Sequence, residues 1–206
     1  MEELKKKLEK KLNKDSFNFL KELVEKWQYS WEDIEEKVNI EIWEIVWNGD
    51  LNLRWTKVKR IKAKKIGWNL YAFWLKSLEE IVEEEIWWYL DVRRTKVKKV
   101  KAKRIEWNLY AYWAEYLEDI EVEEDILWYL DVRWTKVKRI KAKRIEWDLY
   151  TTWVEYLEDI EVEEEIWWDL YINRTSIDFQ KKILKEIKKW ELKVKWKVVF
   201  WGDFIN

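Results

Sequence analysis

The chain has 206 residues, and its 41 basic and 42 acidic side chains nearly cancel. A protein without a net positive field is drawn only weakly to nucleic acid or anionic lipid, so neither partner is expected. Cysteine and histidine are both missing, which excludes disulfides, thiolate nucleophiles and most zinc sites. We therefore expect no enzyme activity and no cofactor.

The apolar share of the composition, 48%, is large enough to supply a folded core. No apolar run approaches the roughly 20 residues of a membrane helix, and the N-terminus lacks a signal-peptide pattern. We expect a cytoplasmic monomer with no membrane partner. Twenty tryptophans, three glycines and no proline depart far from average usage, and this bias indicates a designed sequence.

The first 38 residues predict a helical N-terminal cap. Leucines recur every four residues over 2–14, as in an amphipathic helix. Asp15 or Ser16 is expected to cap a second helix. Ser30 and Asp33 have the spacing of a variant capping box and predict a short third helix.

A short phrase recurs through the middle of the chain and predicts a solenoid. It consists of a tryptophan, one further residue, a leucine and then a tyrosine or aspartate. A period of about 20 residues is typical of coils that stack on one another, so we predict an α+β fold with a parallel β-solenoid over 39–175. The leucines of the phrase are Leu70, Leu90, Leu109, Leu130, Leu149 and Leu170, with a weaker relative at Leu51.

Successive predicted coils alternate in charge. The segments 94–133 and 134–173 are identical at 27 of 40 positions, so the larger unit holds one basic and one acidic coil. If the coils stack in parallel, strands about 4.8 Å apart bring each basic side chain against an acidic one. The basic runs are 57–64, 96–104 and 136–144, and the acidic runs are 79–85, 118–125 and 158–165.

Two other folds fit part of this pattern. An antiparallel meander also pairs basic with acidic strands, but it needs tight turns, and residues 55–175 contain neither Asn-Gly nor Asp-Gly. A helix fits the spacing of Ile105, Leu109 and Trp113, whereas strand alternation covers 121–132 better. The parallel solenoid is therefore the leading prediction.

Residues 176–206 predict a C-terminal cap. Ser176 or Asp178 precedes an apolar spacing typical of a helix. Residues 192–198 then alternate apolar side chains with lysines, which predicts a strand with one solvated face.

The segment 127–137 resembles the leucine-rich repeat. Its apolar residues follow that family's spacing, and Thr135 stands where the family usually has asparagine. The coils that contain Leu70, Leu109 and Leu149, here called the even coils, differ at this position. They have Leu75, Ala114 and Val154, which cannot form the family's side-chain ladder. The resemblance implies a curved parallel sheet whose concave face is lined by exposed side chains that bind other proteins, while the convex side is strand or irregular.

Alternation along a strand assigns the residues of the phrase to two faces. Trp68 and Leu70 share one face with their counterparts in other coils, and we predict that this tryptophan column is core. The opposite face is the candidate partner-binding surface, because tyrosine and arginine are enriched where protein partners anchor. The alternative is that its aromatic and ionic contacts only stabilise an exposed sheet. Its predicted residues are Arg54, Tyr71, Phe73, Asp91, Arg93, Tyr110, Tyr112, Asp131, Arg133, Tyr150 and Tyr171.

The acidic runs at 83–85 and 123–125 offer oxygen ligands for calcium. They lack a glycine-bearing loop, and the basic coils beside them compete for the carboxylates, so we predict no metal site. Our leading hypothesis is a non-enzymatic designed repeat scaffold with no specified ligand. The alternative is a protein-binding module that uses the concave face.

Overall fold

The structure is a computed structural model that describes residues 2–26, 29–41, 44–54, 56–61 and 63–200. Residues 201–206 of the predicted C-terminal cap lie outside the described residues. The helices within this set are α1 (Glu2–Lys11), α2 (Lys14–Lys26), α3 (Trp31–Lys37) and α4 (Ile177–Lys188).

The strands form two sheets, between which the chain passes once in each direction per coil. The sheet that carries the charged runs, here the charged sheet, contains β1 (Val38–Glu41), β2 (Glu44–Trp47), β4 (Lys65–Ile66), β6 (Glu80–Ile86), β8 (Lys99–Ile105), β10 (Asp119–Val122), β11 (Asp125–Ile126), β13 (Arg139–Ala142), β14 (Arg144–Ile145) and β16 (Asp159–Val162). The other sheet, here the short-strand sheet, contains β3 (Leu51–Asn52), β5 (Leu70–Tyr71), β7 (Leu90–Asp91), β9 (Leu109–Tyr110), β12 (Leu130–Asp131), β15 (Leu149–Tyr150), β17 (Leu170–Tyr171) and β18 (Val198–Val199).

Strand pairing confirms the predicted parallel solenoid. Apart from the antiparallel pair β1–β2, the strand pairs of the described residues are parallel. The antiparallel meander is therefore wrong, and so is the helical alternative, because Ile105 and Leu109 lie in strands. The leucines of the phrase form one file of register partners, Leu51, Leu70, Leu90, Leu109, Leu130, Leu149 and Leu170.

The core lies between the two sheets. Leu109 of the short-strand sheet is fully buried, and Ile120 of the charged sheet is 1% exposed. In the charged sheet, alternate residues point inward, as in β8, where Val100 and Ala102 are buried between more exposed lysines. Because a coil of about 20 residues has one apolar stripe on each sheet, a single coil cannot cover its own stripe and must stack.

A tight turn follows the short strands β5, β7, β9, β12, β15 and β17 and requires unusual backbone. In the turn 92–95 the N–H and the hydroxyl of Thr95 both donate to the Val92 carbonyl oxygen, at 3.3 and 2.7 Å. Arg94 has a φ of 56°, a left-handed conformation that costs an ordinary residue about 1–2 kcal/mol. Its guanidinium lies 4.4 Å from the Trp113 ring, and such stacking offsets part of this strain. The equivalent residues with positive φ are Trp74, Trp113, Trp134, Trp153 and Arg174.

Side-chain caps determine where the helices α2 and α3 begin. The capping box of Ser30 and Asp33 is confirmed, because each side chain accepts from the backbone N–H of the other residue. The predicted cap at Asp15 or Ser16 is wrong. The Asn13 side chain accepts from the Ser16 N–H at 2.8 Å, so α2 starts at Lys14, two residues earlier than a cap at Asp15 would place it.

The C-terminal cap has the predicted helix and a shorter strand. The Ser176 hydroxyl accepts from the Phe179 N–H at 3.1 Å and starts α4. The alternation over 192–198 yields a bridge from Val194 to Ile166 and the two-residue strand β18. None of the helices in the described part of the chain combines the length and apolarity that a membrane crossing requires.

Candidate functional site

The candidate surface is the outward face of the short-strand sheet. Strand register places Tyr71, Asp91, Tyr110, Asp131, Tyr150 and Tyr171 in one row across successive coils. The residues two positions further along form a second row, Arg54, Phe73, Arg93, Tyr112 and Arg133. All the predicted surface residues therefore lie on one face, in two parallel rows.

The two aspartates of this face are buried, although the sequence predicted exposed side chains. Asp91 is 3% exposed and Asp131 is 4% exposed. Arg93 donates from Nε and Nη2 to the two Asp91 carboxylate oxygens, at 2.7 and 2.5 Å. Arg133 makes the same two-pronged contact with Asp131, at 2.9 and 2.7 Å. Each arginine covers its own aspartate, which strand alternation alone does not reveal.

The second row alternates cations with aromatic rings. The Arg93 guanidinium lies 5.3 Å from the Phe73 ring and 5.0 Å from the Tyr112 ring. Arg93 also donates from Nη1 to the Tyr112 hydroxyl. The Arg54 guanidinium lies 5.0 Å from the Phe73 ring, and the Arg133 guanidinium lies 5.9 Å from the Tyr112 ring. These cation–π contacts link five successive coils on the outer surface.

The row ends differently at its C-terminal side. Thr152 takes the place of the arginine-linked tyrosine, and its hydroxyl donates to the Asn173 side-chain oxygen at 2.8 Å. Tyr150 and Tyr171 stack with ring centroids 4.6 Å apart. At this end a hydroxyl–amide hydrogen bond and ring stacking thus replace the arginine–ring contacts of the second row.

The electrostatics of the face keep its arginines charged and its tyrosines neutral. The hydrogen bonds from Arg93 to Asp91 raise the pKa of the guanidinium above its already high ordinary value. Burial raises the pKa of Tyr171 to about 12, and its hydrogen bond to Asp169 contributes further. Burial also raises the pKa of Tyr150, which donates to Asp148 at 2.8 Å. The shifts of the pKa values of Arg93, Tyr150 and Tyr171 all favour the form that each group already has at neutral pH.

The predicted tryptophan core is wrong. Trp68 is 54% exposed and Trp88 is 40% exposed. The short strands have only two residues, and a bend at Gly67 and Trp68 precedes β5, so strand alternation does not extend back to the tryptophan. The indoles instead stack face to face at the edge of the sheet, as in Trp128 and Trp147, whose centroids are 4.8 Å apart. The complete column is Trp68, Trp88, Trp107, Trp128, Trp147, Trp168 and Trp196.

A polar ladder that the sequence analysis missed lies beside this column. The Asn69 side chain donates to Asp50 Oδ1 at 2.8 Å and accepts from the Tyr89 N–H at 3.1 Å. Asn108 accepts from the Tyr129 N–H at 3.0 Å. The predicted ladder position, by contrast, holds threonines that bond only within their own turns, as Thr95 does. The recurrence of Asn69, Asn108 and Asp148 between the tryptophan and the leucine in every second coil is the signal that could have identified it.

The outward side chains of the charged sheet alternate in sign from coil to coil, as predicted. Asp119 is the register partner of Lys99 on one side and of Arg139 on the other, and its carboxylate lies 3.2 Å from Arg139. The acidic runs therefore face cations. Within the described residues, no group of three or more carboxylates is arranged to hold a metal ion.

Comparison with known proteins finds no matching family model, no similar curated protein and no similar solved structure.

Proposed function

We propose that the chain is a non-enzymatic structural scaffold, a stack of coils whose surface groups are used to hold neighbouring coils together. The observation that carries this proposal is the Arg93–Asp91 pair, in which a buried carboxylate is fully occupied by an arginine that is itself held between two rings. Groups that satisfy one another inside the chain are less available to a substrate. The charged groups that form ion pairs on the charged sheet likewise satisfy one another inside the chain.

We also infer that the scaffold is a designed, leucine-rich-repeat-like solenoid. The near-duplicate units 94–133 and 134–173 and the unusual composition support a designed origin. The spacing of Thr56, Thr95, Thr135 and Thr175 relative to the short strands supports the leucine-rich-repeat type. A cytoplasmic monomer remains our expectation.

A second candidate, a protein-binding module, is favoured by the composition of the short-strand face. Apart from the buried Asp91 and Asp131, its rows consist of tyrosine, phenylalanine and arginine side chains that are half-buried and fixed by neighbours, without a lysine or glutamate. Rigid aromatic and arginine side chains lose little conformational entropy when a partner binds. The partner would be a protein with an apolar patch that lies across the two rows.

One variant separates the two functions. Replacing Tyr110, Tyr112 and Arg133 with alanine removes contacts across three coils. A scaffold loses about 3 kcal/mol of unfolding free energy, because ring–ring and ring–cation pairs each contribute about 0.5–1.5 kcal/mol beyond simple burial. A binding module in addition loses capture of its partner, at a temperature at which circular dichroism shows that the variant is still folded.

The control is a triple variant on the charged sheet, Lys98→Ala, Lys138→Ala and Glu158→Ala, which removes exposed charges only. Chemical denaturation of both variants measures the difference. A hydrolytic rate on generic ester, glycoside or phosphate substrates that a single point mutation abolishes would overturn the non-enzymatic proposal.

A further inference from the structure

The repeat departs from its pattern beside the turns that follow the short strands. At two adjacent positions the even coils have Glu115-Tyr116 and Glu155-Tyr156, whereas the first of them has Lys76-Ser77. Tyr116 and Tyr156 are large and exposed, at 45% and 53%. Ser77 is half-buried, and its hydroxyl donates to the Val58 carbonyl oxygen at 2.8 Å. The small side chain leaves space that tyrosine fills elsewhere.

An open groove of about 1110 Å³ lies at this break and spans four successive coils. One wall consists of Trp74, Arg94 and Trp113, in which the guanidinium lies 5.6 and 4.4 Å from the two indole rings. Tyr116 closes the C-terminal end of the groove. At about 4.8 Å per coil, the groove extends roughly 14 Å along the stack, which is long enough for a small organic ligand.

A row of cations also lines the groove. Lys57, Lys76 and Lys96 occupy equivalent places in three successive coils, and all three line the groove and are exposed. Among the residues that the structure describes, none of the three has a carboxylate within ion-pair distance. Glu115 is the one acidic residue of the lining and lies at the far end beside Tyr116. The positive charge is therefore concentrated over the first three coils.

We propose that this groove binds a nucleotide-like anion, a planar aromatic ring that carries phosphates. The phosphates contact Lys57, Lys76 and Lys96, where charge attraction is strongest. The ring lies over Ser77 against the edge of the Trp74 indole, in the space that a tyrosine fills in later coils. This site goes beyond the scaffold role, because it depends on residues that depart from the repeat.

The test is isothermal titration calorimetry of the whole chain with ATP, inorganic triphosphate and adenosine at low ionic strength. ATP is expected to bind more tightly than either fragment, and added salt weakens its binding because the lysines are exposed. The variant Lys76→Glu, Ser77→Tyr restores the residues of the other even coils at this place, so its fold is preserved. We expect it to weaken ATP binding by at least about tenfold, because it reverses one charge and fills the ring space.

The matched control is Lys136→Glu. Lys136 has the same place in a later coil, between Glu115 and Glu155, and does not line the groove. ATP affinity should stay within about twofold of the native value. Equal affinity of ATP and triphosphate would overturn the aromatic part of the proposal. Undetectable ATP binding by the native chain, or an unchanged affinity in the double variant, would overturn all of it.

Discussion

The two sheets of this solenoid use opposite charges in different ways. On the charged sheet, Lys99 lies 2.8 Å from Glu121, and about a third of each side chain is exposed. On the short-strand sheet, Arg93 lies 2.5 Å from Asp91, whose side chain is only 4% exposed. Water and salt screen the first pair, whereas the second is protected by the rings around it.

The difference indicates two separate roles. An exposed ion pair contributes little stability, but a coil stacked one position out of order would place like charges together, so the charged sheet specifies the order of coils. The short-strand sheet contributes stability and rigidity, because removing one partner leaves a buried charge unpaired. The core lies between the sheets and serves both.

The largest expected effect on stability comes from the core that the two sheets share. Leu109→Ala in the short-strand sheet and Ile120→Ala in the charged sheet each remove a buried side chain from the same core. We expect each variant to lose about 3 kcal/mol of unfolding free energy, since large-to-small substitutions at such sites cost about 2–5 kcal/mol. Denaturant unfolding measures both. A loss below about 1 kcal/mol at only one of the two sites would contradict a core shared equally by the sheets.

A smaller effect distinguishes the outer faces. Arg93→Ala leaves the buried Asp91 without its partner, and we expect a loss of about 2 kcal/mol, discounted because the guanidinium is itself a third exposed. The matched variant Lys99→Ala removes an exposed ion pair and should cost less than about 0.5 kcal/mol.

A double-mutant cycle with Asp91→Ala isolates the pair. If Arg93 acts through Asp91, the double variant is less destabilised than the two single variants added together. Additive losses would show that Arg93 stabilises the face through its rings alone.

The sequence predicts the fold well because the periodic signal is redundant. Seven leucines recur at nearly constant spacing, and basic runs alternate with acidic runs. Both patterns predict parallel coils and the register between them. It also predicts which residues share the candidate face, since the leucine fixes the side on which the next residue and the residue two further along lie.

The sequence does not predict which members of a face are covered. Strand alternation places Trp68 in the core only if it extends beyond a two-residue strand, which it does not. It places Asp91 in solvent, but the Arg93 side chain, two residues away, covers the carboxylate. Both errors have the same origin. Strand length and side-chain reach depend on tertiary packing, which a period-two pattern does not contain.

The two faces should also differ at high pH. The pKa of Tyr171 is raised to about 12, so its neutral form stabilises the fold fully below the ordinary value of 10.0 and this contribution is lost as pH rises through about 12. Tyr171→Phe removes that contribution. We expect a shallower loss of stability above about pH 10 in this variant than in the native chain, and tyrosinate absorbance should lose one late-titrating component. Lys138, which directly precedes β13 of the charged sheet, also has a raised pKa. Lys138→Gln is therefore the control that measures how much of the stability lost at high pH comes from this lysine.

The smallest expected effect concerns acid and the charged sheet. The Lys99 ammonium group, with help from Lys101, lowers the pKa of Glu121 below its ordinary value of 4.5. The stabilisation is therefore present above pH 4.5 and is lost as pH falls through the lowered value. Glu121→Gln should be slightly less stable than the native chain at neutral pH, and the two should converge in acid.

The control for this variant is Glu155→Gln, because Glu155 is exposed and has no ion pair among the described residues. Because this variant removes no ion pair, its stability at neutral pH should stay close to that of the native chain. Raising the salt concentration to about 1 M should shrink the effect of Glu121→Gln, since exposed pairs are screened, while the loss in Arg93→Ala persists. If salt reduced both losses equally, the distinction between a screened face and a protected face would fail.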